Sequence, residues 1–181
     1  MKTKLLKKCA AVLLLSFFAF VGCDEGTVEG STEQQIFFEV SYTNNAWGKQ
    51  FKGFIIDRDG QIRLYENPAK WTLVNGKTGI TLDQIKENLL NTTRAATSIP
   101  AADLKNYISK SAAIDDSAFS KPVSGGADRG ITSFYVYHYD KETQVYKSVL
   151  INQTGDIETF NKDKSAIEVS TWLSTVLAQV Y

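Results

Sequence analysis

The sequence predicts an α+β domain built on an antiparallel sheet. Two stretches alternate apolar and polar residues with a period of two, and each leads into a hairpin signal and then into apolar residues at helical spacing. Strands that follow one another in meanders are typical of antiparallel sheets, whereas strict strand-helix alternation indicates a parallel one. We expect two similar strand-hairpin-helix halves, 35–113 and 131–181, joined by a loop at 114–130, with the helices packed on one face of the sheet.

The first strand and hairpin are predicted between residues 36 and 65. Apolar and polar residues alternate across 36–43, as they do in a strand with one solvated face. The segments 51–56 and 61–65 follow, and the turn sequence Asp-Arg-Asp-Gly lies between them at 57–60. Because glycine supplies the positive φ that a tight turn needs, we expect the two segments to pair as a hairpin.

The stretch from Phe134 onward repeats this plan. The strands align at an offset of 96 residues and the hairpins at 95, with six identities in about 25 positions. Two interpretations stay open, because an internal duplication explains the identities and so do two unrelated hairpins that share glycine turns and apolar alternation. The aligned pairs are Phe38 and Phe134, Val40 and Val136, Tyr42 and His138, Lys52 and Lys147, Ile56 and Ile151, Gly60 and Gly155, and Ile62 and Ile157.

Three helices are predicted from apolar residues that recur every three or four positions. The first, 81–90, begins with Thr81 and Gln84 spaced as a capping box. The second follows Pro100, which suits the first turn of a helix. The third begins at Ser165 and Glu168, spaced as another capping box, and runs to the chain end. The expected buried residues are Leu82, Ile85 and Leu89, then Leu104, Tyr107 and Ile108, and finally Val169, Trp172, Leu173, Val176 and Val180.

The N-terminal segment predicts export. Four lysines within the first eight residues precede the apolar run 10–21, and Gly22 leads into Cys23. This ending resembles the lipobox of bacterial lipoproteins, although Phe20 stands where leucine is usual. The resemblance implies cleavage after Gly22, a palmitate-type lipid on Cys23 and attachment to a membrane of the cell envelope. An uncleaved N-terminal anchor is the alternative, but twelve residues fall short of the roughly 20 that span a bilayer.

The predicted organisation is a signal peptide at 1–22, a lipidated flexible tether at 23–34 and a single domain at 35–181. Residues 24–33 contain four acids and no base, a composition that does not bury enough apolar surface to fold. From Cys23 onward the chain has 159 residues, a net charge of −4 and no second cysteine. These features argue against nucleic-acid binding and exclude disulfides and thiolate chemistry within the domain.

The motifs that could carry chemistry are sparse. The acidic turn 57–60 resembles part of a calcium loop, but Gln61 stands where a further acid or amide ligand belongs, so a plain hairpin turn is favoured. His138 is the single histidine, and its alternation with Phe134 and Val136 favours a core or edge position over a catalytic one. No phosphate loop, nucleophile elbow or histidine-rich metal motif is present in the sequence, so neither a cofactor nor a metal is predicted.

A tyrosine stripe is the candidate binding surface. Tyr135, Tyr137 and Tyr139 alternate with the apolar face of their strand, at the positions that Glu39, Ser41 and Thr43 would occupy in the first half. If those polar residues are exposed, the stripe offers aromatic contact area for a protein or glycan. If helices cover this side as well, the three tyrosines belong to the core.

The leading functional hypothesis is an exported, lipid-anchored envelope protein that binds or interacts without catalysis. Its partners are the membrane, through Cys23, and a protein or glycan ligand. An inhibitor of a secreted hydrolase is one alternative, since protruding turns such as 57–60 could enter an active site. A carboxylate-dependent envelope hydrolase is another, and it requires two acids about 5 to 9.5 Å apart in a cleft.

Overall fold

The fold is known from a computed structural model, which describes residues 33–73 and 79–181. Within these residues the chain forms nine strands and three helices. The strands are β1 (Ile36–Asn44), β2 (Gln50–Asp57), β3 (Gln61–Glu66), β4 (Ile80–Thr81), β5 (Thr93–Ser98), β6 (Val123–Ser124), β7 (Ile131–Asp140), β8 (Val145–Gly155) and β9 (Ile157–Phe160). The helices are α1 (Leu82–Leu90), α2 (Ala101–Ser111) and α3 (Lys164–Val180).

The strands form one antiparallel sheet in the order β5-β3-β2-β1-β7-β8-β9-β6, with β4 paired to β8. The predicted α+β class with an antiparallel sheet is therefore confirmed. The meanders β1–β2–β3 and β7–β8–β9 meet at the centre, where Phe38 lies opposite Val136 and Val40 opposite Phe134. The sequence interpretation did not include β4, β5 or β6, which are short or lack apolar alternation.

One face of the sheet is covered by α2 and α3. Phe38 and Phe54 from the sheet, Leu104 from α2, and Val169 and Leu173 from α3 belong to a single buried cluster. The ring of Trp172 packs edge-on against Phe38, with centroids 5.1 Å apart, and stacks on Tyr107 of α2 at 4.0 Å. The apolar residues predicted for the second and third helices therefore do face the sheet.

The opposite face carries its own buried cluster and its own helix. Ile85 of α1 packs there with Ile36, Ile55 and Tyr146. Packing of all helices on one face, as expected from the sequence, is thus not confirmed. Polar residues alternate with apolar ones along β1, so the pattern favoured a solvated face, but α1 and the segment before it cover much of that face.

The start of one predicted helix is confirmed and that of another is wrong. At α1, Thr81 accepts a hydrogen bond from the Gln84 backbone N–H, and the Gln84 side chain accepts one from the Thr81 N–H, which completes the capping box. At α3 the N-cap is Asp163 and not Ser165, because the Asp163 side chain accepts hydrogen bonds from the backbone N–H groups of Ser165 and Ala166. Glu168 instead forms an ion pair with Lys110 of α2, at 2.5 Å.

The folded domain begins slightly before the predicted boundary at residue 35. Gln34 is buried, and its side-chain amide donates hydrogen bonds to the backbone oxygens of Ile36 and Tyr137. The predicted signal peptide, Cys23 and most of the tether lie outside the described residues. Among the helices that the structure describes, none has the length and apolar character needed to cross a bilayer.

Candidate functional site

A buried carboxylate lies at the centre of the second face of the sheet. Glu39 of β1 is 6% exposed, and its Oε1 accepts a hydrogen bond of 2.6 Å from the Tyr65 hydroxyl. Its Oε2 accepts a hydrogen bond from the hydroxyl of Tyr137 on the neighbouring strand β7. Tyr65 belongs to β3, two strands away, and reaches Glu39 across Gly53, which has no side chain to obstruct it. The sheet register therefore assembles three residues that are distant in sequence.

Burial dominates the titration of this group. It raises the pKa of the Glu39 carboxyl, while the hydrogen bonds from Tyr137 and Tyr65 lower that pKa in part. Burial and the nearby carboxylate raise the pKa values of the Tyr65 and Tyr137 hydroxyls well above their ordinary value, so both remain protonated donors. The Glu39 carboxyl is therefore held by two neutral hydroxyls, and burial disfavours its ionised form.

Glu39 forms part of the wall of a small internal space, which we call the inner cavity. Its volume is about 50 Å³. Among the described residues that line it, Glu39 carries the one carboxyl group, and the others are aromatic, aliphatic or small and polar. The residues that line the inner cavity are Glu39, Ser41, Phe51, Trp71, Leu73, Tyr135, Tyr137 and Ser148.

A larger depression, the outer cleft, adjoins the inner cavity. Its volume is about 300 Å³, in the lower range of small-ligand sites. Phe51, Trp71 and Leu73 line both spaces, so these three side chains separate the buried carboxylate from the surface. Leu73 is 68% exposed, which makes it the outermost of the three. The remaining lining residues of the outer cleft are Thr43, Asn45, Lys49, Gln50, Pro68 and Ala69.

The segment that carries Trp71 and Leu73 is held by two asparagines. At one end, the Asn67 side chain accepts a hydrogen bond of 2.8 Å from the backbone N–H of Phe51. At the other end, the buried Asn88 of α1 accepts from the Thr72 N–H and donates to the Thr72 carbonyl, both at 2.8 Å. Between these ties, Trp71 packs on Tyr65 with ring centroids 4.2 Å apart. This segment, residues 67–73, is called the strap below.

A second depression lies on the other face of the sheet at the same end of β1, and we call it the opposite cleft. Its volume is about 320 Å³. The ammonium of Lys52 lies over the rings of Tyr42 and Tyr181, 5.7 and 5.3 Å from their centroids. The Tyr181 hydroxyl donates to the backbone oxygen of Gly53 and so fastens the chain end to β2.

The three tyrosines of the predicted stripe do not share one environment. Tyr137 is 3% exposed and donates to Glu39, as the core interpretation of the stripe requires. Tyr135 is half-buried and lines the inner cavity. Tyr139 is also half-buried, and its ring lies 4.8 Å from that of Tyr146. The stripe is therefore not fully exposed, because Tyr137 is buried, and binding by Tyr135, Tyr137 and Tyr139 stays a prediction.

The other motifs singled out in the sequence have structural roles. The Asp57 carboxylate accepts hydrogen bonds from the backbone N–H groups of Asp59 and Gln61 and pairs with Arg63 at 2.8 Å, so the turn 57–60 is a hairpin turn as predicted. The ring of His138 is half-buried and lies 3.0 Å from the carbonyl oxygen of Ile114. Among the described residues, no cluster of histidine, aspartate or glutamate is arranged to hold a metal ion.

Glu39, Trp71 and the strap were not predicted from the sequence to be parts of a site. Glu39 was expected on a solvated face, because its alternation with apolar residues is typical of a strand that has one face in water. A signal was present in the sequence, since Trp71 follows a proline-containing turn after β3 and has no place in the predicted strands. That signal indicated an aromatic residue outside the regular elements but not its position over the sheet.

Comparisons with known proteins do not identify a relative of this chain. No protein family matches it, and no curated protein or solved structure does so either.

Proposed function

We propose that the protein is a lipid-anchored binding module of the bacterial cell envelope, tethered through Cys23, which presents a ligand site at the end of its sheet away from the membrane. The observation that carries this proposal is the direction of β1. The described chain enters at Glu33, and the backbone N–H of Gln35 donates to the Tyr146 hydroxyl beside the start of β1. The outer and opposite clefts both lie at the far end of this strand.

The separation between the tether and the clefts follows from the strand length. β1 has nine residues, so its far end, near Asn44, lies about 26 Å from Ile36 at the usual rise per strand residue. The loop 45–49 follows directly, and Trp47 at its tip is 80% exposed. An anchor at one end of the strand leaves the other end, with Trp47 and both clefts, free to meet a ligand. We call this the distal end.

The composition of the distal end supports binding rather than catalysis. Trp47 and Leu73 expose large apolar surfaces there, and aromatic residues are enriched in recognition sites. Of the outer cleft, the opposite cleft and the inner cavity, only the inner cavity is lined by a carboxyl group, and that group is Glu39 alone. A carboxylate-dependent hydrolase would need a second acid. The turn 57–60 lies at the tethered end of the sheet, so the inhibitor alternative would have to use a different loop.

The anchor is tested by metabolic labelling with palmitate in a bacterial host. We expect Cys23→Ala to abolish labelling and to release the domain from the membrane fraction, because the lipid is attached to this sulfur. Cys9→Ala is the matched control, since Cys9 lies in the predicted signal peptide, and its label should equal that of the unmodified chain. Labelling that persists in the Cys23 variant, or a mature chain that retains Met1, would contradict the lipoprotein proposal.

The distal end is tested by photo-crosslinking on intact cells. A photoreactive amino acid at position 47 is expected to give a discrete adduct with an envelope or extracellular ligand, at least fivefold stronger than at position 90. Leu90 is the matched control because it is 85% exposed but lies at the end of α1. Leu73→Ser should weaken the adduct from position 47. Equal adducts from both positions, or none from position 47, would refute a distal binding surface, and loss of the adduct after glycosidase treatment would identify a glycan.

We also propose that the two meanders arose by duplication. In the central pair, Phe38 lies opposite Val136 and Val40 opposite Phe134. The offset of 96 residues makes Phe38 equivalent to Phe134 and Val40 equivalent to Val136. Under this equivalence the pair Phe38–Val136 corresponds to the pair Phe134–Val40. That relation is expected for two equivalent halves about a local two-fold axis. The helices α2 and α3, one from each half, also contact each other on one face of the sheet, as two equivalent elements would.

A further inference from the structure

The carboxylate in the inner cavity has no cationic partner within the part of the chain that the structure describes. Glu39 does not take part in any of the salt bridges formed by these residues. When Glu39 is ionised, hydrogen bonds from the neutral hydroxyls of Tyr65 and Tyr137 satisfy its oxygens but do not cancel the buried negative charge. Burial raises the pKa of this carboxyl, and a cation bound beside it would favour the ionised form. A cation that entered the cavity would gain a strong electrostatic partner, because water does not screen the charge there.

The walls of the cavity suit an organic cation. Phe51, Trp71, Tyr135 and Tyr137 surround the space beside Glu39. The faces of aromatic rings attract ammonium groups, and clusters of such rings are used by proteins to bind them. A wall of this kind also accommodates the methylene groups next to an ammonium, which a hydrated metal ion does not offer. The combination of one carboxylate with several rings therefore selects for an alkylammonium ion.

We propose that the inner cavity binds a primary ammonium group, with the ammonium on Glu39 and its alkyl chain passing between Phe51, Trp71 and Leu73 into the outer cleft. This inference rests on the proposed binding function and names the ligand chemistry. A volume of about 50 Å³ admits a group about as large as one or two water molecules. The size excludes a quaternary ammonium from the same position.

The strap gives the ligand its route. Trp71 and Leu73 separate the inner cavity from the outer cleft, and Leu73 is largely exposed. The hydrogen bonds of Asn67 and Asn88 are made to the backbone of Phe51 and Thr72, and neither involves the side chain of Trp71 or Leu73. Rotation of the Leu73 side chain would therefore widen the passage without breaking either tie.

The experiment is a calorimetric titration of the purified full-length chain with small amines. The probes are n-butylammonium, which represents free amines, and Nα-acetyl-lysine methylamide, which represents lysine side chains. Their neutral counterparts are n-butanol and the Nε-acetylated lysine derivative. We expect saturable binding of at least one amine at about millimolar concentration and none of its neutral counterpart. The amine that binds more tightly indicates whether the natural ligand is a free amine or a lysine side chain.

Variants separate the cavity from nonspecific attraction. Glu39→Gln should weaken amine binding at least about tenfold, because it removes the buried charge and keeps the side-chain shape. Tyr135→Leu should weaken it severalfold, since one ring is lost from a half-buried wall. The matched control is Glu142→Gln, which removes an exposed carboxylate in the turn after β7 and should have no effect. Thermal unfolding checks that each variant is folded.

Several outcomes would overturn the inference. Absence of binding by both amines is one, and equal binding of amines and their neutral counterparts is another. Lys77 lies outside the described residues, and Lys77→Gln should leave the affinity unchanged. Tighter amine binding by that variant would mean that Lys77 is the ammonium group that Glu39 binds, and it would overturn the proposal of an external ligand. If the adduct from position 47 persists while neither amine binds, only the proposed ammonium site is refuted. If that adduct is also absent, binding at the distal end is refuted as well.

Discussion

Gly53→Ala is expected to destabilise the domain by about 3 to 5 kcal/mol, as the sum of an unrelieved steric contact and a lost buried hydrogen bond. A Cβ atom at this position would lie 2.1 Å from the backbone oxygen of Val40 and 2.6 Å from the hydroxyl of Tyr65. The first contact is with the backbone of the neighbouring central strand, which cannot move without disturbing the sheet. The second displaces the hydroxyl that donates to Glu39. Urea denaturation followed by circular dichroism measures the loss.

Two further variants show which contact dominates. Tyr65→Phe added to Gly53→Ala removes the hydroxyl contact but not the contact with Val40, so it should not restore stability. Gly48→Ala is the control from the same hairpin, because a Cβ there has no atom within 4 Å. Its cost should be limited to about 1 to 2 kcal/mol, since φ is +106° at this glycine. A loss below about 1 kcal/mol for Gly53→Ala would contradict the packing around Glu39.

Phe38→Ala is the second large effect and should cost about 3 to 5 kcal/mol. The ring is fully buried at the centre of the sheet, and its removal leaves a cavity beneath α3. It also removes the edge-to-face contact with Trp172, in which the two rings are inclined by 80°. Besides a lower free energy of unfolding, we expect a changed tryptophan fluorescence spectrum in the folded state.

Phe160→Ala is the matched control for this substitution. The same atoms are deleted, but Phe160 is 45% exposed at the end of β9, so the expected loss is below about 1 kcal/mol. Equal losses in the two variants would mean that α3 does not pack over the central strands as described.

Periodic patterns along the chain predicted the central elements of the fold correctly. The alternation across 36–43, the hairpin around Gly60 and the capping box at Thr81 each depend on contacts between neighbours in sequence, so local physics is sufficient to specify them. The start of α3 was assigned wrongly because Ser165 and Glu168 have the correct spacing, yet Asp163 two residues earlier is a competing cap. The short strand β5 lacks a local signal, since it is specified by its pairing to β3.

The candidate site could be predicted only in part. The aromatic character of the strand 131–140 is visible in the sequence, and Tyr135 and Tyr137 do line the inner cavity. The role of Glu39 was not visible, because alternation reports which residues share a face but not whether a later segment covers that face. The cover is supplied by Trp71 in the strap, which Asn88 of α1 holds in place.

The sequence by itself determined the antiparallel α+β class, the two meanders, the apolar faces of the helices and the absence of thiols after Cys23, because each follows from composition or from spacing along the chain. It also led to the lipid-anchor hypothesis, which labelling experiments must test. Only the tertiary structure decided that both faces of the sheet are covered, that Glu39 is buried against two tyrosines and that the clefts lie at the far end of β1. These features depend on contacts between residues up to about a hundred positions apart, and local patterns do not encode such contacts.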